Sequence, residues 1–261
     1  MRTLSCAAYA CLVVMVTATC AGCSTSSVTG NPSPAPSASA TGGSVSLSGW
    51  QLTLPLAGKH GTAAIVNPAS VSPPWLSTDQ SGALVFFAPV DGATTKNSDH
   101  ARTELVDLTT FTAGSGRHTM HASLAVSQLP AGTRDVVIGQ IHGADTIKSV
   151  PFVMLHYQAG AITVVVKQQQ SGPAAQHLTL LSDVPLGARF DYSIIDNGDG
   201  SLTFTADDGP RHASVNAPLP APFRGATVRF QAGAYQQGRA GQGAAAGDAA
   251  RLIFSTLTRT G

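Results

Sequence analysis

Run after run of this chain alternates apolar with polar residues, and no stretch carries the 3.6-residue apolar stripe of a packed helix. Side chains two apart share one face of an extended strand, so this pattern specifies half-buried sheet. The candidate strands are GWQLTL (49–54), ALVFFAP (83–89), RTELVDL (102–108), RHTMHASLAVSQL (117–129), DVVIGQIH (135–142) and PFVMLHYQ (151–158). They continue with AITVVVKQ (161–168), QHLTLL (176–181), RFDYSIID (189–196), SLTFTAD (201–207), ATVRFQAGAYQ (226–236) and ARLIFSTLT (250–258). Clusters of Gly, Pro, Asn and Asp separate them, and DNGDG (196–200) has the residues a hairpin turn needs. Many short strands without helices predict an all-β domain, a two-sheet sandwich or jelly roll. Two irregular stretches, 89–101 and 236–249, flank polar strands and are candidate lids over a cleft.

The N-terminus is of another kind. Residues 1–22 carry Arg2, an apolar region around CLVVMV and a small-residue end, the layout of a bacterial export signal. Cys20-Ala21-Gly22-Cys23 resembles a lipobox, which makes Cys23 the expected lipid-bearing residue and places the protein outside the cytoplasmic membrane, anchored at the cell surface. Residues 23–45 then read as a flexible tether, rich in Ser, Pro and Ala and free of charge. All four cysteines, Cys6, Cys11, Cys20 and Cys23, fall in this region. The domain at 46–261 therefore has neither disulfides nor thiol chemistry.

Without Arg2, the fifteen basic residues of the chain become fourteen, balancing fourteen acidic ones. A sequence-independent nucleic-acid binder would be basic, so that class is excluded. Recognition of a charged ligand has to come from locally placed groups.

Three strands supply such groups. Arg102 and Glu104 share a face in ARTELV, and Gln140 and His142 share one in GQIHG. In VRFQAGAYQQ the face bearing Arg229, Gln231, Gly233, Tyr235 and Gln237 opposes the apolar face of Val228, Phe230, Ala232 and Ala234. Each strand alone reads as a solvated outer face. Together they offer an arginine, an amide, an imidazole and a phenol, the parts needed to abstract a proton beside a carboxylate. Arg and an amide stabilise the enolate-like charge, His or Tyr takes the proton, and Tyr returns one to a departing glycosidic oxygen. That chemistry requires no metal or cofactor.

These segments resemble the three signature motifs of the family seven polysaccharide lyases, the alginate lyases: R-[ST]-E-[LV]-R, Q-[IV]-H and Y-F-K-A-G-x-Y-x-Q. They occur in the family's order and, with GWQLTLP near the domain start, cover most of the domain. The resemblance implies a jelly-roll sandwich of two antiparallel sheets with the motifs lining a concave cleft. It implies a monomer that takes an acidic polysaccharide and cleaves it by metal-independent β-elimination. Arg102 and Gln140 would neutralise the substrate carboxylate, His142 would be the base for a guluronate-type residue, and Tyr235 the acid. With a mannuronate-type residue Tyr235 would take both roles. Glu104, Arg229, Gln231 and Gln237 fall at motif positions that bind substrate or support the cleft.

The chain departs from the pattern at Val106, where a second arginine is usual, and at Arg229 and Gln231, where Tyr and Lys are usual. Those changes leave open another uronate polymer, such as a glucuronan, or a jelly-roll module that only binds sugar. A hydrolase built on paired carboxylates fits poorly, since Glu104 is the only acidic residue within the three motif segments.

Overall fold

The computed structural model describes residues 45–241 and 246–261. The expected export signal, Cys23 and all of the expected tether except Val45 lie outside them, as does part of the stretch 236–249. Sixteen strands are present among the described residues. In chain order they are β1 (Trp50–Ala57), β2 (Ala63–Val66), β3 (Leu76–Thr78), β4 (Leu84–Pro89), β5 (Arg102–Asp107), β6 (Phe111–Thr112), β7 (His118–Gln128) and β8 (Asp135–Gly143). Then follow β9 (Pro151–Gln158), β10 (Ala161–Lys167), β11 (Ala175–Leu181), β12 (Arg189–Asp196), β13 (Ser201–Asp207), β14 (His212–Pro218), β15 (Thr227–Gln236) and β16 (Ala249–Thr260).

These strands form two antiparallel sheets, the jelly-roll sandwich that the alternation predicts. One runs β11-β10-β9-β8-β15-β5-β1-β2, with β6 also on β15, and the other runs β14-β13-β12-β7-β16-β4-β3. Alternation decides the packing. In β10 Ile162, Val164 and Val166 are buried between the sheets, while Thr163, Val165 and Lys167 are only half-buried on the outer face. Leu202, Phe204 and Ala206 do the same for β13. Phe86 and Phe254 meet edge-on, 5.1 Å apart, inside this core. Tyr192 reaches across from β12 to donate its hydroxyl proton to the Ile138 carbonyl of β8 at 2.9 Å. Truncating such a filled core position, for example Leu105→Ala, costs about 2–5 kcal/mol.

The turn at 196–200 behaves as its sequence predicts. Asn197 N–H donates to the Ser201 carbonyl at 3.0 Å, and the Asp196 carboxylate accepts from Gly198 N–H at 3.0 Å. Four strands were not expected from the alternation. β2, β3 and β6 are short, and β14 is a sheet edge whose residues are mostly exposed, so none shows a full apolar face.

The sheet order matters most for the site. β5, β8 and β15, far apart in sequence, are neighbours in the order β8-β15-β5. The three polar strands thereby form one continuous surface.

Candidate active site

Register aligns the polar side chains in rows across this surface. Tyr235 pairs with Arg102, Gln231 pairs with both Val106 and Gln140, and Arg229 pairs with His142. Neighbouring β1 adds Gln51 opposite Val106 and Thr53 opposite Glu104. Together they floor a cleft of about 320 Å³, whose walls include Lys96, Asn97 and Ser98 from one loop and Lys148 and Ser149 from another. A second hollow, about 430 Å³, contains Asp107, Phe111, His118 and Arg259. There Asp107 and Arg259 pair at 2.7 Å, and His118 stacks on Phe111 at 4.2 Å with its Nε2 3.1 Å from the Ser115 carbonyl.

Glu104 anchors the floor. It is fully buried, accepting from Arg102 Nη1 at 3.1 Å and from Gln140 Nε2 at 2.5 Å. Burial pushes its carboxyl upward, opposed by the Arg102 charge and the Gln140 bond. Glu104 is not among the residues that line the cleft, whereas Arg102 and Gln140, which it holds, are.

Arg102 is buried except for a sliver, and its guanidinium carbon lies 3.4 Å from the Tyr235 ring centroid. Two atoms of this cluster, Arg102 Nε and Gln140 Oε1, are buried without a hydrogen-bond partner. The resemblance implies that Gln140 donates to the substrate carboxylate. Its nitrogen is instead engaged by Glu104 and, more weakly at 3.3 Å, by Gln231 Oε1. A carboxylate forms the stronger, charge-assisted bond, so it can displace the Gln231 contact but not the Glu104 one.

His142 is presented as a neutral base. Its Nδ1 lies 3.0 Å from the Gly143 carbonyl, which can only accept, so Nδ1 carries the proton and Nε2 keeps its lone pair. Burial, with the nearby Arg102 and Arg229 charges, pulls its pKa down to about 4 against the raising effect of the Gly143 bond. Gly143 has a second use. A side chain there would run into the Ile147 carbonyl, so only glycine lets the turn bearing Lys148 fold back onto the end of β8.

Gly233 corrects an expectation. Spacing places it on the polar face with Gln231 and Tyr235, where a missing side chain would leave room for a ligand. In fact a Cβ there would meet the Thr103 carbonyl at 2.6 Å and the Phe86 ring at 3.2 Å, on the core side. Its φ of +145° marks a bulge, where the pairing of β15 with β8 shifts between Ala232 and Tyr235. The bulge thus sits immediately before Tyr235.

Of the remaining expected residues, Arg229 and Gln231 line the cleft, as does Val106. Gln237 does not; its amide donates to the backbone carbonyls of Tyr235 and Gln236. Three groups escaped the sequence reading. Ser98 touches the Tyr235 hydroxyl at 3.0 Å, and Lys96 and Lys148 bring cations to the rims. Their only signal was the polar loop 89–101 for the first two. Among the described residues no group of three or more His, Cys, Asp or Glu is placed to hold a metal ion.

The family model described as "Alginate lyase" matches residues 45–260. No protein among the curated sequences matches this chain. Among solved structures, the chain resembles alginate lyase A1-II', a member of polysaccharide lyase family 7, with 25% identity and a TM-score of 0.70 over 82% of this chain and 95% of that one. It also resembles alginate lyase PA1167 from Pseudomonas aeruginosa, with 25% identity and a TM-score of 0.72 over 82% and 99% of the respective chains. A third similar structure is a variant of A1-II', one His replaced by Asn and one Tyr by Phe, in complex with substrate GGMG. It has 24% identity and a TM-score of 0.71 over 82% and 93%.

Proposed function

The chain belongs to the alginate lyase family, and on that premise we propose that its cleft cleaves alginate by metal-independent β-elimination. The observation that carries the assignment of roles is the pair of unpartnered buried atoms, Arg102 Nε and Gln140 Oε1, beside a neutral imidazole and a phenol. Such atoms cost stability unless a ligand satisfies them, and a uronate offers both a carboxylate and hydroxyls.

The steps follow from the groups. The substrate carboxylate binds at Arg102 and takes the second Gln140 N–H from Gln231, which disperses the charge that would otherwise resist loss of the C5 proton. His142 Nε2 accepts that proton. Electrons move into a C4–C5 double bond, the C4–O bond breaks, and the Tyr235 hydroxyl gives its proton to the departing oxygen. The bound carboxylate also offsets the burial and the two arginines that disfavour protonated His142. Its basicity therefore rises when substrate arrives. On a mannuronate-type residue, where proton and leaving group share one side of the ring, Tyr235 serves as both base and acid.

Glu104 positions Arg102 and Gln140 rather than substrate. Lys96, Lys148 and Arg229 hold neighbouring acidic units, in place of the basic residues that Val106 and Gln231 replace. The export signal and the lipobox-like Cys20–Cys23 support a cell-surface lipoprotein, held off the membrane by the tether.

A panel tests this reading: alginates rich in guluronate or mannuronate, and a glucuronan, each incubated with the protein and the products identified by mass. Unsaturated oligouronates from guluronate-rich alginate, with or without chelator, are expected. Products from glucuronan alone would overturn the substrate, and none from any polymer would overturn the reaction.

A further inference from the structure

Ser98 belongs to the loop between β4 and β5, which is pinned where it meets the sheet. Ala93 N–H donates to the Pro55 carbonyl and Ala63 N–H to the Thr94 carbonyl, each at 2.9 Å, and Thr94 bridges to Ala101. On the far side the His100 ring nitrogen Nδ1 lies 2.9 Å from the Gly238 carbonyl. The serine is held by its own loop. Its Oγ accepts from His100 N–H at 3.0 Å and lies 3.1 Å from the His100 carbonyl, to which its proton can go. The remaining lone pair faces the Tyr235 hydroxyl at 3.0 Å.

A hydroxyl has one donor and two acceptor sites, and it rotates. With its proton on the His100 carbonyl, Ser98 accepts from Tyr235, which fixes where the phenolic oxygen sits; the single phenolic proton turns from Ser98 to the leaving oxygen when that oxygen is bound beside it. When Tyr235 has given its proton to the leaving oxygen, the same Ser98 proton can turn to the phenolate, a stronger charge-assisted bond. We infer that Ser98 is a positioning residue for Tyr235, aiming the phenol before elimination and holding the phenolate after it. No proton leaves Ser98 in this cycle. Solvent reprotonates Tyr235, and His142 releases the C5 proton to solvent.

This inference rests on Tyr235 being the acid, so the test separates the two. Kinetics on guluronate-rich alginate are compared for the native protein, Ser98→Ala, Ser98→Thr and Tyr235→Phe. Misaiming a reacting group by a fraction of an ångström lowers turnover without weakening binding, so Ser98→Ala should lose about tenfold or more in kcat with KM within about twofold. Ser98→Thr keeps the hydroxyl and should recover most of that loss. Should alanine disturb the loop, Ser98→Cys, close in size but a weak hydrogen-bonder, reads the same effect. Unchanged kcat in Ser98→Ala beside an inactive Tyr235→Phe would overturn the role of Ser98 alone. So would a loss confined to KM, or a threonine variant no better than alanine. Full turnover by Tyr235→Phe would overturn the acid assignment and the role of Ser98 with it.

Discussion

The Arg102 guanidinium carbon lies 3.4 Å from the centroid of the Tyr235 ring, in the row of the sheet where the two residues are paired. Contact of this kind makes cation and phenol a single unit. On the proposed mechanism one arginine then serves two developing charges, the enolate-like carboxylate and the phenolate left when Tyr235 gives up its proton.

Replacing Arg102 by Lys tests this dual service. Lysine keeps the charge but loses the planar fork that both stacks on the ring and pairs with a carboxylate. We expect kcat/KM on alginate to fall by about a hundredfold or more, the scale of losing one preorganised donor to a developing anion. Near-native kinetics in Arg102→Lys would mean that simple positive charge suffices.

On the proposed mechanism the depressed basicity of His142 sets the acid limit of the free enzyme. Its folded pKa of about 4 lies below the ordinary 6.5, so the ring stays neutral well into mild acid. The acid limb of kcat/KM, which reports the free enzyme, should therefore fall near pH 4 and not near pH 6.5. The linked effect on stability has the same direction. Between pH 6.5 and 4 the unfolded chain takes up a proton that the folded site refuses, so this group lowers stability as pH falls through that window. His142→Gln should flatten part of that slope in urea titrations at stepped pH.

Glu104 is predicted to matter for stability as well as activity. Removing one partner of a buried ion pair strands the other, at a cost of about 3–5 kcal/mol. Glu104→Ala should show that loss in its denaturation midpoint, with Arg102 left uncompensated. Glu104→Gln still bridges Arg102 and should lose less stability while losing activity. Equal midpoints for the native protein and Glu104→Ala would show that the pair adds nothing to folding.

Gly233→Ala addresses the bulge. The new methyl has no space between the Thr103 carbonyl and Phe86, at a φ that side chains rarely adopt. The variant should lose roughly 1–3 kcal/mol of stability. It should also lose turnover, because the displaced strand carries Tyr235. A stable variant with native turnover would show that the bulge does not fix Tyr235.

Much of this was legible in the sequence because strand periodicity is local. Alternation in AITVVVKQ or SLTFTAD names the core face directly, and the shared faces of Arg102 with Glu104 and Gln140 with His142 follow from spacing two. What escaped depends on pairing between distant segments. Whether Gly233 opens toward a ligand or toward Phe86 is decided by a bulge, which only the register with β8 reveals. That Gln140 gives its nitrogen to Glu104 requires β8 and β5 to lie on either side of β15. Ser98 sits in a loop with no period, and nothing nearby in sequence marks it as the partner of Tyr235.

The most direct measurement is the absorbance of unsaturated uronate as alginate is mixed with the native protein and with Tyr235→Phe, with binding of the polymer followed in parallel. The account predicts a steady rise with the native protein, and no rise with Tyr235→Phe although it still binds. A native protein that binds alginate without any such rise would contradict it.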